Sequence, residues 1–174
     1  AIAGATGQLS STLVIPDTGV SGINFDTLGG DDSVTVNSVQ ASLSGDFTID
    51  GGSGVDSAVI NAVIAATGTV DISVSRNIVV NSGSSITTTT GDITLTANRG
   101  MSAVTGDFDG IYIDNATVTA TTGNITLDAR SGNTAFDDAI ELEGATIETT
   151  GVGSGTITLD GDGVAANDES NGLD

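Results

Sequence analysis

The sequence predicts an all-β fold, a parallel β-helix in which one chain winds into about six stacked coils, and three observations carry that prediction. The pentapeptide Gly91-Asp92-Ile93-Thr94-Leu95 recurs as Gly123-Asn124-Ile125-Thr126-Leu127 and Gly155-Thr156-Ile157-Thr158-Leu159, at steps of 32 residues (123−91 and 155−123). A fixed period of this size is the signature of a repeat architecture. Three families of alternating apolar and polar triplets return in the same order in every cycle. Aromatic residues make up 3% of the chain against 37% hydrophobic residues overall, so the core must be built from Val, Ile, Leu and Ala. Such side chains suit narrow, regular β-layers.

Taken in order, residues 1–20 hold one apolar run, Leu13-Val14-Ile15, closed by Pro16-Asp17-Thr18-Gly19. This reads as an N-terminal edge strand and turn, because a proline would interrupt a central ladder. The segment Ala1-Ile2-Ala3-Gly4-Ala5-Thr6 has neither the basic start nor the apolar centre of a signal peptide. Residues 21–174 are read as the repeat domain.

The first triplet family is Ile23-Asn24-Phe25, Phe47-Thr48-Ile49, Val70-Asp71-Ile72, Ile93-Thr94-Leu95, Ile125-Thr126-Leu127 and Ile157-Thr158-Leu159. Strict alternation sends one face inward and the other to solvent. The second is Val34-Thr35-Val36, Ala58-Val59-Ile60, Ile78-Val79-Val80, Ile111-Tyr112-Ile113 and Ile140-Glu141-Leu142, with Leu173 beginning a sixth. The third is centred on Val39, Val63, Ile86, Val118 and Ile147. Three short strands with one inward stripe each cannot close on themselves, whereas stacked coils bury all three stripes in columns.

Spacing within the first family runs 24, 23, 23, 32 and 32 residues, so the later coils carry extra length. That length falls at one corner, after the first family: residues 50–56 early, 75–77 in the middle, then 98–110, 130–138 and 161–172. Loops at a corner leave ladder register intact. Gly106-Asp107-Phe108-Asp109-Gly110-Ile111 parallels Ala135-Phe136-Asp137-Asp138-Ala139-Ile140 and Asn167-Asp168-Glu169-Ser170-Asn171-Gly172-Leu173. Phe108 and Phe136 are expected to pack their inserts onto the shaft. The sequence stops as another coil begins, without a recognisable cap, and the C-terminus is therefore expected to be uncapped.

The run from Gly110-Ile111-Tyr112-Ile113-Asp114-Asn115-Ala116-Thr117 through Gly123-Asn124-Ile125-Thr126-Leu127 resembles the coils of filamentous-haemagglutinin-like β-strand-repeat surface proteins of bacteria. The pattern covers residues 21–173. The resemblance implies a right-handed β-helical shaft, secretion to the cell surface or beyond, and a role in adhesion or surface structure. Partners implied are copies of the chain, adjoining repeats of a longer chain, and a cell-surface glycan or host receptor.

Charge narrows the function classes further. The formal net charge is −20, with no Lys or His and three cations, Arg76, Arg99 and Arg130. Nucleic-acid binding lacks its phosphate-neutralising residues, and an acidic membrane surface repels the chain. No apolar run is long enough for a membrane span. Without Cys, His or Lys, disulfides, thiolate metal sites, Ser/His nucleophilic catalysis and Schiff-base chemistry are excluded.

Acidic residues crowd the insert corner, and Asp107, Asp109, Asp137, Asp138, Asp162 and Asp168 are the candidate metal ligands. Carboxylates stacked ~4.8 Å apart repel unless a cation lies between them, and oxygen-only clusters suit Ca²⁺. The plainer reading is a solvated acidic ridge that keeps a long fibre soluble. Gly51-Gly52-Ser53-Gly54-Val55-Asp56-Ser57-Ala58-Val59 resembles the calcium-binding nonapeptide of secreted toxins. A lone copy reads as a glycine turn, because ions bind that motif between consecutive turns.

Arg99 and Arg130, near Asp128 and Asp92, read as salt bridges relieving a carboxylate column. A polysaccharide-active enzyme would need carboxyls converging in a cleft, and here they recur as ladders. Thr94, Thr126 and Thr158, beside Thr117, Thr119 and Thr121, raise ice binding as another class, although Asp71 and Glu148 interrupt the arrays. Tyr112 is the one tyrosine and a candidate binding residue for sugar or a neighbour. The expected function is a non-enzymatic structural or adhesive module, with a calcium-stabilised glycan- or receptor-binding module as the alternative.

Overall fold

A computed structural model describes residues 20–39, 42–100, 102–134, 136–153 and 155–163. Fifteen strands form three sheets, and every pairing is parallel. The first sheet stacks β1 (Ile23–Asp26), β3 (Phe47–Asp50), β6 (Val70–Val74), β9 (Ile93–Ala97), β12 (Ile125–Arg130) and β15 (Ile157–Asp162) in chain order. The second stacks β2 (Ser33–Val36), β4 (Ser57–Ile60), β7 (Asn77–Val80), β10 (Ile111–Asp114) and β13 (Ile140–Glu143). The third stacks β5 (Val63–Ala66), β8 (Ser85–Thr88), β11 (Thr117–Ala120) and β14 (Thr146–Thr149). Strands that follow one another in the chain lie in different sheets, and each pairs with its counterpart one cycle away. The chain is a parallel β-solenoid of five to six coils.

Alternation decides which residues enter the core. In the first sheet Ile23, Phe47, Val70, Ile93, Ile125 and Ile157 are in register, as are Phe25, Ile49, Ile72, Leu95, Leu127 and Leu159. The second sheet adds the columns from Val34 through Ala58, Ile78 and Ile111 to Ile140, and from Val36 through Ile60, Val80 and Ile113 to Leu142. Most of these residues have no solvent exposure, and all of them belong to or pack against one core cluster, apart from Ile157 at the rim. Thr88 is the polar intruder in the third sheet's column between Ala66 and Ala120, and its hydroxyl donates to the Gly91 carbonyl at 2.7 Å. That bond lets a threonine be buried without an unsatisfied group.

The third family needs one correction. Val63 was the expected core residue, yet it is 55% exposed and Ile64 is buried in register with Ile86, Val118 and Ile147. Two adjacent β-branched residues fit either phase of the alternation, and pairing with the neighbouring coil selects one. In the first coil Val39 itself, among the described residues, lies in no strand. Leu43, buried at the head of the column Ala66–Thr88–Ala120, makes an isolated parallel bridge to Ala66.

The inserts are held by a residue the strand pattern does not mark. Asn98 is buried in a left-handed conformation (φ 55°), where its amide donates to the carbonyls of Val104 and Ser131, each at 3.0 Å, and its oxygen accepts from Val104 N–H at 2.6 Å. Phe108 packs as expected and lies beneath the Arg76 guanidinium, 4.5 Å from ring centre. Phe136 does not: it is 81% exposed, because the shorter insert of 131–139 turns it outward. The expected strand Leu13-Val14-Ile15, the insert from Asn167 with Asp168, and the further coil at Leu173 lie outside the described residues.

Candidate functional site

The corner between the first and second sheets gathers the charge. Every loop there leaves a first-sheet strand and enters a second-sheet strand, so its carboxylates stack coil upon coil, as the sequence spacing requires. Asp109 closes the insert before β10, and Asp138 occupies the same place one coil later. Asp138 N–H donates to Asp109 Oδ1 at 2.8 Å, and Gly110 N–H donates to the Asp138 carbonyl at 2.9 Å. Glu141 projects outward from β13, one position along from Ile140. Carboxylate oxygens of Asp109, Asp138 and Glu141 all lie within 4.8 Å of one another.

Three anions so close cannot all remain charged without help. Glu141 is pushed up to about 7, first by burial, then by its hydrogen bond with Asp109, and further by the charges of Asp109, Asp138 and Glu143. Burial and crowding by the neighbouring carboxylates thus make Glu141 hold its proton above the usual carboxylate range, and a divalent cation with oxygen ligands is the chemical alternative to that proton. Glu141 was not among the candidates from sequence, since it stands on a strand rather than in an Asp-Gly insert. The available signal was its register with Tyr112, which places it beside the loop ends.

The other candidate ligands have different surroundings. Asp137 is buried and accepts from both the backbone and the hydroxyl of Thr134, at 2.6 and 2.7 Å, which folds the tip of its loop. Asp107 faces the same hydroxyl at 3.3 Å. Asp162 is paired with Arg99, whose guanidinium also meets Asp128 and, at 3.1 Å, Asp160. Asp168 lies outside the described residues.

Arg99 therefore joins carboxylates from two successive coils, and only 17% of its side chain is exposed. Burial alone would lower its pKa, but the hydrogen bonds and charges of Asp162 and Asp128 outweigh that and raise it. Arg130 contributes at longer range, 3.9 Å from Asp162. Asp92, the other expected partner, instead accepts from Asn124 N–H at 2.7 Å and continues the coil-to-coil ladder.

Tyr112 stands on the outward face of β10 with its ring partly exposed. Its hydroxyl donates to Glu143 Oε2 at 2.6 Å. That bond, above all, pushes the phenol up to about 12. Two open grooves lie on the surface of the described residues: one of ≈ 250 Å³ runs over Ala65, Thr67, Thr87, Thr89, Thr119 and Thr121, and one of ≈ 240 Å³ lies by Asp50, Ser73, Ser75, Thr96 and Arg99. In the first sheet Thr94, Thr126 and Thr158 are in register, with Asp71 next in the same column. The chain matches no protein-family model, no curated protein and no solved structure.

Proposed function

We propose that this chain is a non-enzymatic shaft module of an extracellular bacterial surface protein or filament, of the filamentous-haemagglutinin-like kind that its repeats resemble. The observation that carries the reading is the continuity of the apolar columns through three all-parallel sheets. Coil-to-coil hydrogen bonds in such a stack run along the long axis. Six stacked strands, separated by five steps of ~4.8 Å, give a rod section of roughly 24 Å whose cross-section is set by side-chain packing. Its partners are adjoining repeats or further copies, reached through the rims.

Two features support that role. Among the described residues β1 and β2 at one end, and β13, β14 and β15 at the other, have a neighbour on one side only. Ile157 on the last rim is 43% exposed although its equivalents Ile93 and Ile125 are fully buried. Head-to-tail contact of such rims is heterologous and propagates. Electron microscopy of the purified chain tests it: rods joined end to end are expected, and strictly monomeric particles at high concentration would rule out assembly through the rims. Binding to glycan arrays and to cells tests the adhesive part of the role.

The cluster of Asp109, Asp138 and Glu141 favours a second reading, a calcium-stabilised binding module in which an ion stiffens the corner that carries Tyr112. A rise in melting temperature at millimolar Ca²⁺, lost in Asp109→Asn, is its expected mark. No shift would leave a solvated acidic ridge.

A further inference from the structure

One column of the first sheet ends in a carboxylate at each rim. Asp26, Asp50, Ser73, Thr96, Asp128 and Asp160 lie in register along β1, β3, β6, β9, β12 and β15. Strand alternation turns this column outward, next to the inward column that runs from Phe25 to Leu159. Carboxylates in it never follow one another more than twice, because Ser73 and Thr96 stand between Asp50 and Asp128. Each pair is accommodated separately. Arg99 reaches Asp128 and Asp160 together. Asp26 Oδ1 accepts from Leu28 N–H at 3.0 Å and Asp50 Oδ1 from Gly52 N–H at 2.9 Å, bonds that aim the two carboxylates and leave their charge in place.

The two rims share one phase. β15 offers Ile157-Thr158-Leu159-Asp160 and β1 offers Ile23-Asn24-Phe25-Asp26, the two ends of the same four columns. In the second sheet Ile140 and Leu142 of β13 end the columns that Val34 and Val36 of β2 begin. A second copy placed on a rim therefore repeats the coil-to-coil interface already used throughout the fold, apolar residue on apolar residue. That match makes another copy of this chain the occupant.

The same register sets Asp160 of one copy on Asp26 of the next. Asp128, Asp160, Asp26 and Asp50 then follow one another at steps of ~4.8 Å, a run the chain itself avoids. Other acids add to it: Glu141, Glu143 and Glu148 stand on β13 and β14 at one rim, and Asp31 and Asp32 in the turn after β1 at the other. Among the described residues, every ion pair within 4.0 Å joins Arg99 or Arg130 to Asp128, Asp160 or Asp162, and none reaches Asp26 or Asp50. Charged side chains are a known means of stopping sheet edges from adding to one another, and like charges across a contact oppose it strongly.

We propose that end-to-end joining of the shaft is gated by this carboxylate column: Asp160 and Asp26 hold copies apart at low ionic strength, and screening or removing their charge lets the matched apolar columns stack. The inference rests on the rim contacts proposed above and adds what regulates them. Apolar complementarity supplies the attraction, and the outward column decides when it acts.

Sedimentation velocity of the whole chain at neutral pH, with a chelator present, tests it between about 10 mM and about 1 M NaCl, over which the Debye length falls from ~30 to ~3 Å. The parent should be monomeric at the low salt and form end-to-end oligomers at the high. Asp26→Asn and Asp160→Asn, one at each rim, should each tighten association at low salt by about fourfold, the effect of one pair of unit charges ~4.8 Å apart in water. Asp92→Asn removes the same charge from an inner coil, where Asn124 already occupies the equivalent place, and should leave association as it is. The gate is refuted, with rim assembly left standing, if the parent associates equally at both salt concentrations, if the two rim variants need as much salt as the parent, or if Asp92→Asn acts as strongly as they do. If neither the parent nor the Asp26→Asn/Asp160→Asn double variant associates at either salt concentration, assembly through the rims is itself wrong and the gate falls with it.

Discussion

The side-chain amide of Asn98 reaches the main-chain carbonyl of Ser131, 33 residues later, at 3.0 Å within the buried corner. One residue thereby ties two successive inserts to each other and holds a left-handed turn that few side chains tolerate. Replacing it with Ala should cost about 2–4 kcal/mol, since it strands buried backbone groups and leaves a strained φ. Asn98→Gly should lose less, because glycine relieves the conformation though not the hydrogen bonds. Urea denaturation followed by circular dichroism compares the two.

Ile64 and Val63 are neighbours in sequence with opposite fates. Ile64→Ala removes a fully buried side chain and should cost about 2–5 kcal/mol, as large-to-small core changes do. Val63→Ala removes an exposed one and should change stability by less than about 0.5 kcal/mol. Equal losses from the two substitutions would mean that the third sheet is shifted by one residue.

Tyr112 is the one tyrosine and the chain has no tryptophan, so phenolate absorbance reports this residue alone. The folded chain should titrate near 12 rather than 10, because Glu143 accepts its proton's hydrogen bond. A phenol pKa raised by folding gives a stabilising contribution that is complete below pH 10 and vanishes as pH climbs through 12. Glu143→Gln should bring the midpoint down toward the value in denaturant; an unchanged midpoint would show that the bond is absent in solution.

Glu141 titrates in a more accessible range. Its carboxyl shifts from 4.5 to about 7 on folding, so the folded chain holds the proton more tightly than the unfolded one. The contribution is complete below pH 4.5 and is lost as pH rises through 7, amounting to about 1 kcal/mol once solvent screening is allowed for. In the presence of a chelator, thermal melts across this window should show the decline, and Glu141→Gln should flatten it. Millimolar Ca²⁺ at pH 8 should restore stability if an ion takes the place of the proton.

Much of this architecture was legible because a β-solenoid repeats one local rule. Ile93, Ile125 and Ile157 could be aligned from their spacing, since parallel stacking demands that equivalent side chains lie over one another. Val63 could not be assigned, because two consecutive β-branched residues satisfy either phase of a period-two pattern. Phe108 and Phe136 occupy matching places in sequence, but a shorter insert leaves the second with nothing to pack against.

The corner divides in the same way. Sequence alone determined that acidic residues accumulate there, because loop insertions recur at one point of a fixed cycle and carry their aspartates with them. Only tertiary structure decided which of those residues meet, since a loop's carboxylates are aimed by backbone torsion and by hydrogen bonds from the adjoining coil, neither of which has a periodic signature. It drew Glu141 from a strand to join Asp109 and Asp138, turned Asp162 toward Arg99, and set the turn containing Asp32 directly upon the turn containing Asp56.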